Sequence, residues 1–314
     1  MRIVVTGASG FLGREVYSAL SARQYDVTGL AFSRSSRELV RVDLNDSRGI
    51  EALLEGLKPD VVVHCAAERR PDVCEASPDA ARSLNVRATS NLARLSSALK
   101  FALIYISTDY VFDGTAPPGG YEVTDEPAPT NLYGETKREG EKAVLEARVE
   151  TGAKATVLRV PVLYGSTMTN SESAINCLFD VVLACAGKER RAKMDDWAAR
   201  YPTNTLDVAR VVADLADLSL SRPLPSTLHF SAQERLTKYE ILKIFASAHA
   251  PPLELDEAGW LIRDDAGPQP GDTIRPKDCH LSNRALEALG IDCSTAVTFG
   301  QWAQGFVSQQ QKRA

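Results

Sequence analysis

The chain has 314 residues, with 36 Lys+Arg against 41 Asp+Glu and a formal charge of −5. Hydrophobic and charged fractions of 44% and 25% are those of a soluble globular protein, one long enough to bury about three quarters of its unfolded surface. Mild acidity without a long Lys/Arg run argues against nucleic acid as a partner, and no apolar stretch nears the ~20 residues that span a bilayer.

A first strand is expected over Arg2–Thr6, running into Thr6-Gly7-Ala8-Ser9-Gly10-Phe11-Leu12-Gly13 and a helix over 11–23. Because Met1 leads straight into this strand, no targeting leader is expected, and a cytoplasmic location follows. Glycines at this spacing, after a strand and opening a helix, point to a dinucleotide. Gly7 permits the tight turn, Gly10 lets the backbone approach a pyrophosphate, and Gly13 lets helix and sheet pack closely. The helix N-terminus adds free N–H groups and a positive partial charge. The second strand, Asp26–Ala31, ends before Phe32-Ser33-Arg34-Ser35-Ser36-Arg37. A carboxylate there would accept the ribose 2′-OH and mark NAD. Hydroxyls and guanidinium groups stand there instead, which favours NADP, led by Ser33 and Arg34.

Further strands are expected at 61–65, 102–107 and 156–160, nearly all apolar, as strands buried on both faces must be. Helices over 47–57, 78–99 and 131–150 alternate with them. The alternation predicts an α/β fold, a Rossmann-type doubly wound parallel sheet. Beyond Tyr164-Gly165 the pattern loosens. A helix over 171–186, a charged stretch over 188–193, a helix-spaced apolar run over 203–218 and a strand over 227–231 are expected. A helix from Thr237, a loop rich in Pro, Gly and Asp over 251–277, and two short helices follow. The expected division is a dinucleotide-binding domain of residues 1–165, rejoined by 203–232, and a smaller substrate or partner lobe of residues 166–202 and 233–314. The 6 cysteines and 4 histidines show neither disulfide nor zinc spacing, so buried thiols and no metal are expected.

The fourth of these strands leads into Ser107-Thr108-Asp109, and Asn131-Leu132-Tyr133-Gly134-Glu135-Thr136-Lys137 begins the next helix. Four residues apart, Tyr133 and Lys137 share one helix face. A phenol is a weak acid at neutral pH. A nearby ammonium and the positive nicotinamide of an oxidised cofactor would lower its pKa, letting Tyr133 exchange a proton with a carbonyl or alcohol oxygen during hydride transfer. Thr108 would hydrogen-bond the same oxygen, and Lys137 would also hold the nicotinamide ribose.

With these residues in place, the sequence resembles the extended short-chain dehydrogenase/reductase family. Val63-His64-Cys65-Ala66-Ala67, Ser107-Thr108-Asp109-Tyr110-Val111-Phe112-Asp113-Gly114 and Asn131-Leu132-Tyr133-Gly134 are similar to its dTDP-4-dehydrorhamnose reductase branch. Residues 64–75 (HCAAERRPDVCE), 131–146 (NLYGETKREGEKAVLE) and 158–165 (LRVPVLYG), with those around Trp197, Tyr201-Pro202-Thr203 and Asp207-Val208-Ala209, more closely resemble the beta (regulatory) subunits of methionine adenosyltransferase. The resemblance spans residues 1–290. It implies a Rossmann domain, a small C-terminal lobe and NADP. It places the pyrophosphate at Ser9, Gly10, Phe11 and Leu12, and the 2′-phosphate at Ser33, Arg34 and Ser35. Asp43 and Leu44 would lie by the adenine, with Cys65, Arg69 and Leu163 along the rest of the cofactor and Tyr133 and Lys137 at its nicotinamide half. It further implies an aromatic C-terminal end inserted into a catalytic partner. Here the end reads Ser308-Gln309-Gln310-Gln311-Lys312-Arg313-Ala314, and Trp302 and Phe306 are expected to pack a last helix onto the lobe.

Three functions follow. The first is NADPH-dependent reduction of a small ketone or aldehyde, favoured by the complete Thr108, Tyr133 and Lys137 set. The second is a regulatory NADP-binding subunit that docks on a methionine adenosyltransferase catalytic subunit. The third is nucleotide-sugar 4-ketoreduction, for which Arg190, Arg191 and Lys193 would be the basic groups available to a sugar diphosphate.

Overall fold

The computed structural model describes residues 1–33, 38–255, 260–269 and 271–313. The first half builds β1 (Arg2–Thr6), α1 (Phe11–Ala22), β2 (Asp26–Ala31), β3 (Leu39–Arg41), α2 (Ser47–Leu57) and β4 (Val61–His64). It continues through α3 (Pro71–Ala76), α4 (Pro78–Arg82), α5 (Ala88–Leu99), β5 (Ala102–Thr108), α6 (Leu132–Thr151) and β6 (Ala155–Val160). Among the described residues these strands, with the later β10 (Thr227–His229), form a seven-stranded sheet in the order β10-β6-β5-β4-β1-β2-β3. Each pairing in it is parallel. The chain grows outward from β1 to β3 and then returns to β4 on the other side. A crevice therefore opens between the C-terminal ends of β1 and β4.

The alternation of side chains along a strand feeds two cores. On β1, Ile3 and Val5 join Val16 and Leu20 of α1 and Val208 and Val212 of α8 (Thr205–Ser221). Val4 points the other way, toward Leu54 of α2, Leu92 and Leu95 of α5 and Val144 of α6. β4, β5 and β6 are buried throughout, as expected of strands covered on both faces. At the end of β4, His64 sits between the Thr6 and Thr89 hydroxyls, at 2.7 and 3.0 Å. Burial pushes its pKa down to about 3, so it is a neutral structural histidine.

The remaining elements are β7 (Leu163–Tyr164), α7 (Cys177–Ala186), β8 (Ala192–Asp195), β9 (Thr203–Asn204), α9 (Lys238–Ala248), β11 (Leu261–Asp264), α10 (Arg284–Glu287) and α11 (Phe299–Arg313). Tyr164, Phe179, Phe245, Phe299 and Phe306 centre a further apolar cluster drawn from β7, α7, α9 and α11. Thr237 and Glu240 close a capping box at the start of α9.

Several sequence expectations are corrected. The stretch expected as one helix over 171–186 is a 3₁₀ turn at Asn170–Glu172 followed by α7. Between them the Ser173 hydroxyl accepts the backbone N–H groups of Ile175 and Asn176, both at 3.1 Å. The helix expected over 78–99 is interrupted by a π turn at Ser83–Arg87. β11 lies inside the loop expected over 251–277, and α11 is 15 residues long rather than short. Its Phe299, Ala303, Phe306 and Val307 form a helical stripe, and Trp302 stacks on Phe306 with ring centroids 4.8 Å apart. The six cysteines are free thiols. Among the described residues, no helix is long and apolar enough to cross a membrane, and no cluster of His, Cys, Asp and Glu could hold a metal ion.

Candidate functional site

The turn between β1 and α1 requires its glycines. Gly7 has φ +67°, and a Cβ on it would sit 2.8 Å from the Ala66 nitrogen, just beyond β4. A Cβ on Gly13 would lie 2.1 Å from the Gly7 carbonyl oxygen, so α1 could not approach the turn as it does. Gly10 donates its N–H to that same oxygen at 2.8 Å and occupies the N-cap of α1, where no side chain caps the helix. The first-turn N–H groups are thus left for a ligand.

A cavity of about 1140 Å³ opens from this turn along the sheet's C-terminal edge. Gly7, Ser9, Gly10, Phe11, Leu12 and Gly13 line it at one side, with Ser33, Asp43 and Leu44 close to the β2 end. Cys65, Arg69 and Leu163 line its middle course, and Thr108, Tyr133 and Lys137 complete it. Every candidate within the described residues therefore borders one space; Arg34 and Ser35 lie outside the described residues. Burial raises the Cys65 thiol to about 12, leaving it a protonated wall residue. Arg69 donates to the Glu172 carbonyl, and Arg14 of α1 reaches the Glu172 carboxylate at 3.1 and 2.7 Å. These contacts fix the 3₁₀ turn at Asn170–Glu172 as one wall.

Thr108 ends β5. Its hydroxyl donates to Asp109 at 3.0 Å and accepts the Tyr110 N–H at 3.3 Å. Tyr133 is held by the start of α6, where the Asn131 side chain accepts the Gly134 N–H at 2.9 Å. Gly134 lets this turn touch the segment just after β5: a Cβ there would lie 2.1 Å from the Tyr110 carbonyl oxygen. The Tyr110 ring meets the Tyr133 ring edge-on at 6.1 Å. One helical turn on, the Lys137 ammonium donates to the Ile106 carbonyl at 2.8 Å and lies 4.0 Å above the Tyr105 ring. Burial pushes its pKa down to about 7 against the opposing pull of Glu141. The expected lowering of the Tyr133 phenol is not found in the protein alone. Burial raises it above its usual range, while a hydrogen-bond contribution from Thr108 works the other way.

Some residues escaped the sequence reading. Asn85, buried in the π turn, donates to the Glu68 carbonyl at 2.9 Å and accepts the Glu68 N–H at 2.9 Å. It thereby shapes the loop that carries Cys65 and Arg69; a buried polar residue within an expected amphipathic helix was the available signal. The Asp109 carboxyl lines the cavity, and burial raises it to about 7. The basic run falls elsewhere. Arg191 lies over the Trp260 ring, Lys193 pairs with Asp264 at 2.9 Å, and neither these nor Arg190 borders the cavity among the described residues.

Comparison with known proteins agrees with this architecture. Residues 1–300 match the profile of the RmlD substrate binding domain family. The chain belongs to that family. Among individual relatives, methionine adenosyltransferase 2 subunit beta of Rattus norvegicus is 43% identical over 300 residues, covering 95% of this chain and 85% of that protein. An NADP complex of dTDP-4-dehydrorhamnose reductase from Bacillus anthracis superposes with a TM-score of 0.78 at 23% identity, covering 98% of both chains. The UDP-glucose 4-epimerase of Thermus thermophilus, complexed with NAD, superposes at 0.81 with 25% identity over 100% of both. This RmlD-type chain thus shares the Rossmann-type fold of nucleotide-dependent reductases and epimerases.

Proposed function

We propose that the chain binds NADP(H) in this cavity and reduces a ketone or aldehyde, with Tyr133 as the proton donor. The observation that carries the reading is the meeting, in one space, of an uncapped glycine-rich helix N-terminus with Thr108, Tyr133 and Lys137. The residues present fit a dinucleotide. Gly7 and Gly10 leave room for backbone to approach a pyrophosphate, and Ser9, Phe11 and Leu12 present N–H groups to it. Ser33, with Arg34 and Ser35, would take the 2′-phosphate. Asp43 and Leu44 flank the adenine end, and Cys65, Arg69 and Leu163 wall the middle. Residues 1–165 with 203–232 form the cofactor-binding part in this reading, and the rest shapes the pocket for substrate or partner.

Bound there, the cofactor would supply hydride to the carbonyl carbon. Thr108 and Tyr133 hold the carbonyl oxygen, and the Tyr133 hydroxyl gives it a proton as the C–O bond becomes single. Lys137 would hold the ribose, and its depressed pKa would let it return a proton toward the tyrosine at neutral pH. The six free thiols agree with a cytoplasmic place of work. Replacing Arg34 by alanine is expected to weaken NADPH binding by about 1–3 kcal/mol and to leave NADH almost unchanged, as fluorescence titration would show. Equal losses for both cofactors would remove Arg34 from the 2′-phosphate.

A second reading is supported by the 43% identity to methionine adenosyltransferase 2 subunit beta across 95% of the chain. In it the protein binds NADP(H) and associates with the methionine adenosyltransferase catalytic subunit of its own source. Co-elution from a sizing column with NADPH present, with altered kinetics of the catalytic subunit, is the expected result. Two separate peaks at micromolar concentrations would remove this reading and leave the reductase.

A further inference from the structure

The cavity wall carries cations that hydride transfer, as described, does not use: Arg70, which pairs with Glu68 at 2.8 Å, and Arg200, Lys238 and Arg275. Arg200 is 5% exposed and fixed by its own backbone, which pairs with Leu236 at 2.7 and 2.9 Å. Its Nη1 donates to the Ala199 carbonyl at 2.8 Å. Its Nη2 is buried and has no hydrogen-bond partner among the described residues. The nearest carboxylate to it, Asp195, stands at 3.6 Å, beyond hydrogen-bond reach, with its other oxygen taken by the N–H groups of Trp197 and Ala198.

Lys238 opens α9 and makes no hydrogen bond or ion pair within 4 Å among the described residues. Arg275 is engaged at the rim, where it donates to Asp72 at 2.9 and 3.0 Å. Burial and the positive charges of Arg200 and Arg275 together push Lys238 down to about 8, opposed by Asp195. Asp109 is the acid that Arg200 influences on the Thr108 side, and burial leaves it only partly ionised near neutrality. The positive charge is thus incompletely balanced, and a buried guanidinium nitrogen of a cavity-lining residue has no hydrogen-bond acceptor among the described residues, its carboxylate neighbour standing 3.6 Å away.

We propose that Arg200 and Lys238 form a subsite for a single small anionic group, a carboxylate or phosphate, borne by the substrate. The proposal rests on the reductase reading and deepens it. The substrate is a compact oxo acid or phosphorylated carbonyl compound whose anion lies a few bonds from the reacting carbon. Two placements support compactness. Arg200 and Lys238 line the same cavity as Thr108 and the two residues that follow it, Asp109 and Tyr110. The basic run at Arg190, Arg191 and Lys193, which a more distant diphosphate could use, does not border the cavity.

The test is calorimetric titration of the purified protein, with and without saturating NADP⁺, using malonate, inorganic phosphate and UDP as probes. Malonate or phosphate should bind the wild type, and Lys238→Gln and Arg200→Lys should each weaken that binding at least about tenfold. UDP should bind no more tightly than phosphate. Arg200 is buried and its variant could fail to fold, so Lys238→Gln, at a partly exposed helix start, decides the matter alone if necessary. Unchanged anion affinity in Lys238→Gln overturns the proposal. So does a wild type that binds neither small anion, or one that prefers UDP more than about tenfold over phosphate. The NADP⁺ titration reports separately on the cofactor reading, because the anion arms run without NADP⁺ decide the subsite whether or not the cofactor binds.

Discussion

Replacing Tyr133 by phenylalanine is expected to cut carbonyl reduction by about 100-fold or more, the usual scale for removing a positioned general acid. NADPH binding should stay within about twofold, because only a hydroxyl is removed from ground-state binding. The ring keeps its edge-on contact with Tyr110, and the helix start keeps its Asn131 cap and its close approach at Gly134 to the Tyr110 carbonyl. The measurement is kcat/KM on whichever carbonyl compound the wild type turns over, beside a fluorescence titration with NADPH. Turnover within a few-fold of wild type would take Tyr133 out of the chemistry. A parallel loss of NADPH binding would show the phenol holding cofactor instead, which favours the regulatory reading.

The second large effect lies beneath the site. Glu141 has a fully buried side chain and receives Arg159 through two hydrogen bonds, at 2.9 and 2.8 Å, and the Ser107 hydroxyl at 2.6 Å. Arg138 stands farther off at 3.8 Å. Arg159→Met is expected to destabilise the protein by about 3–5 kcal/mol, because it leaves a buried carboxylate without its main partner. Adding Glu141→Met should recover most of that loss, since two apolar groups need no pairing. Urea unfolding of the single and double variants measures both. A single variant within about 1 kcal/mol of wild type would show that water or Arg138 satisfies Glu141 instead. Ser107 precedes Thr108 on β5, so the single variant should also lose activity before it loses its fold.

Much of this molecule is legible in its residues, and the reason is local. The Gly7–Gly13 turn works through backbone sterics that any reader of the sequence can anticipate, and Asn131 announces α6 by the chemistry of its own side chain. The β-rich runs of the sheet are buried on both faces, so their apolar character marks them without knowledge of neighbours. What escapes is what distant segments decide together. β8 and β11 are four residues each and exist because Ala192 pairs with Leu261. Arg200 and Lys238 come from different elements and become a cluster only when the cavity closes. The upward shift of Tyr133 likewise depends on the surrounding protein rather than on Lys137, whose ammonium is directed at Ile106.

The wholly parallel sheet has a consequence for how the molecule is made. No neighbouring strands can zip together as a hairpin, so each pairing waits for a crossover to close. The face of β1 that carries α1 is completed by α8, and the sheet's edge by β10 pairing with β6. During synthesis the glycine turn emerges ahead of α8 and β10, so its supporting face and the sheet's edge are finished only after those later segments have followed it. Until then the apolar side of α1 that packs on α8 has nothing to bury it, so the ground beneath the glycine turn is completed late.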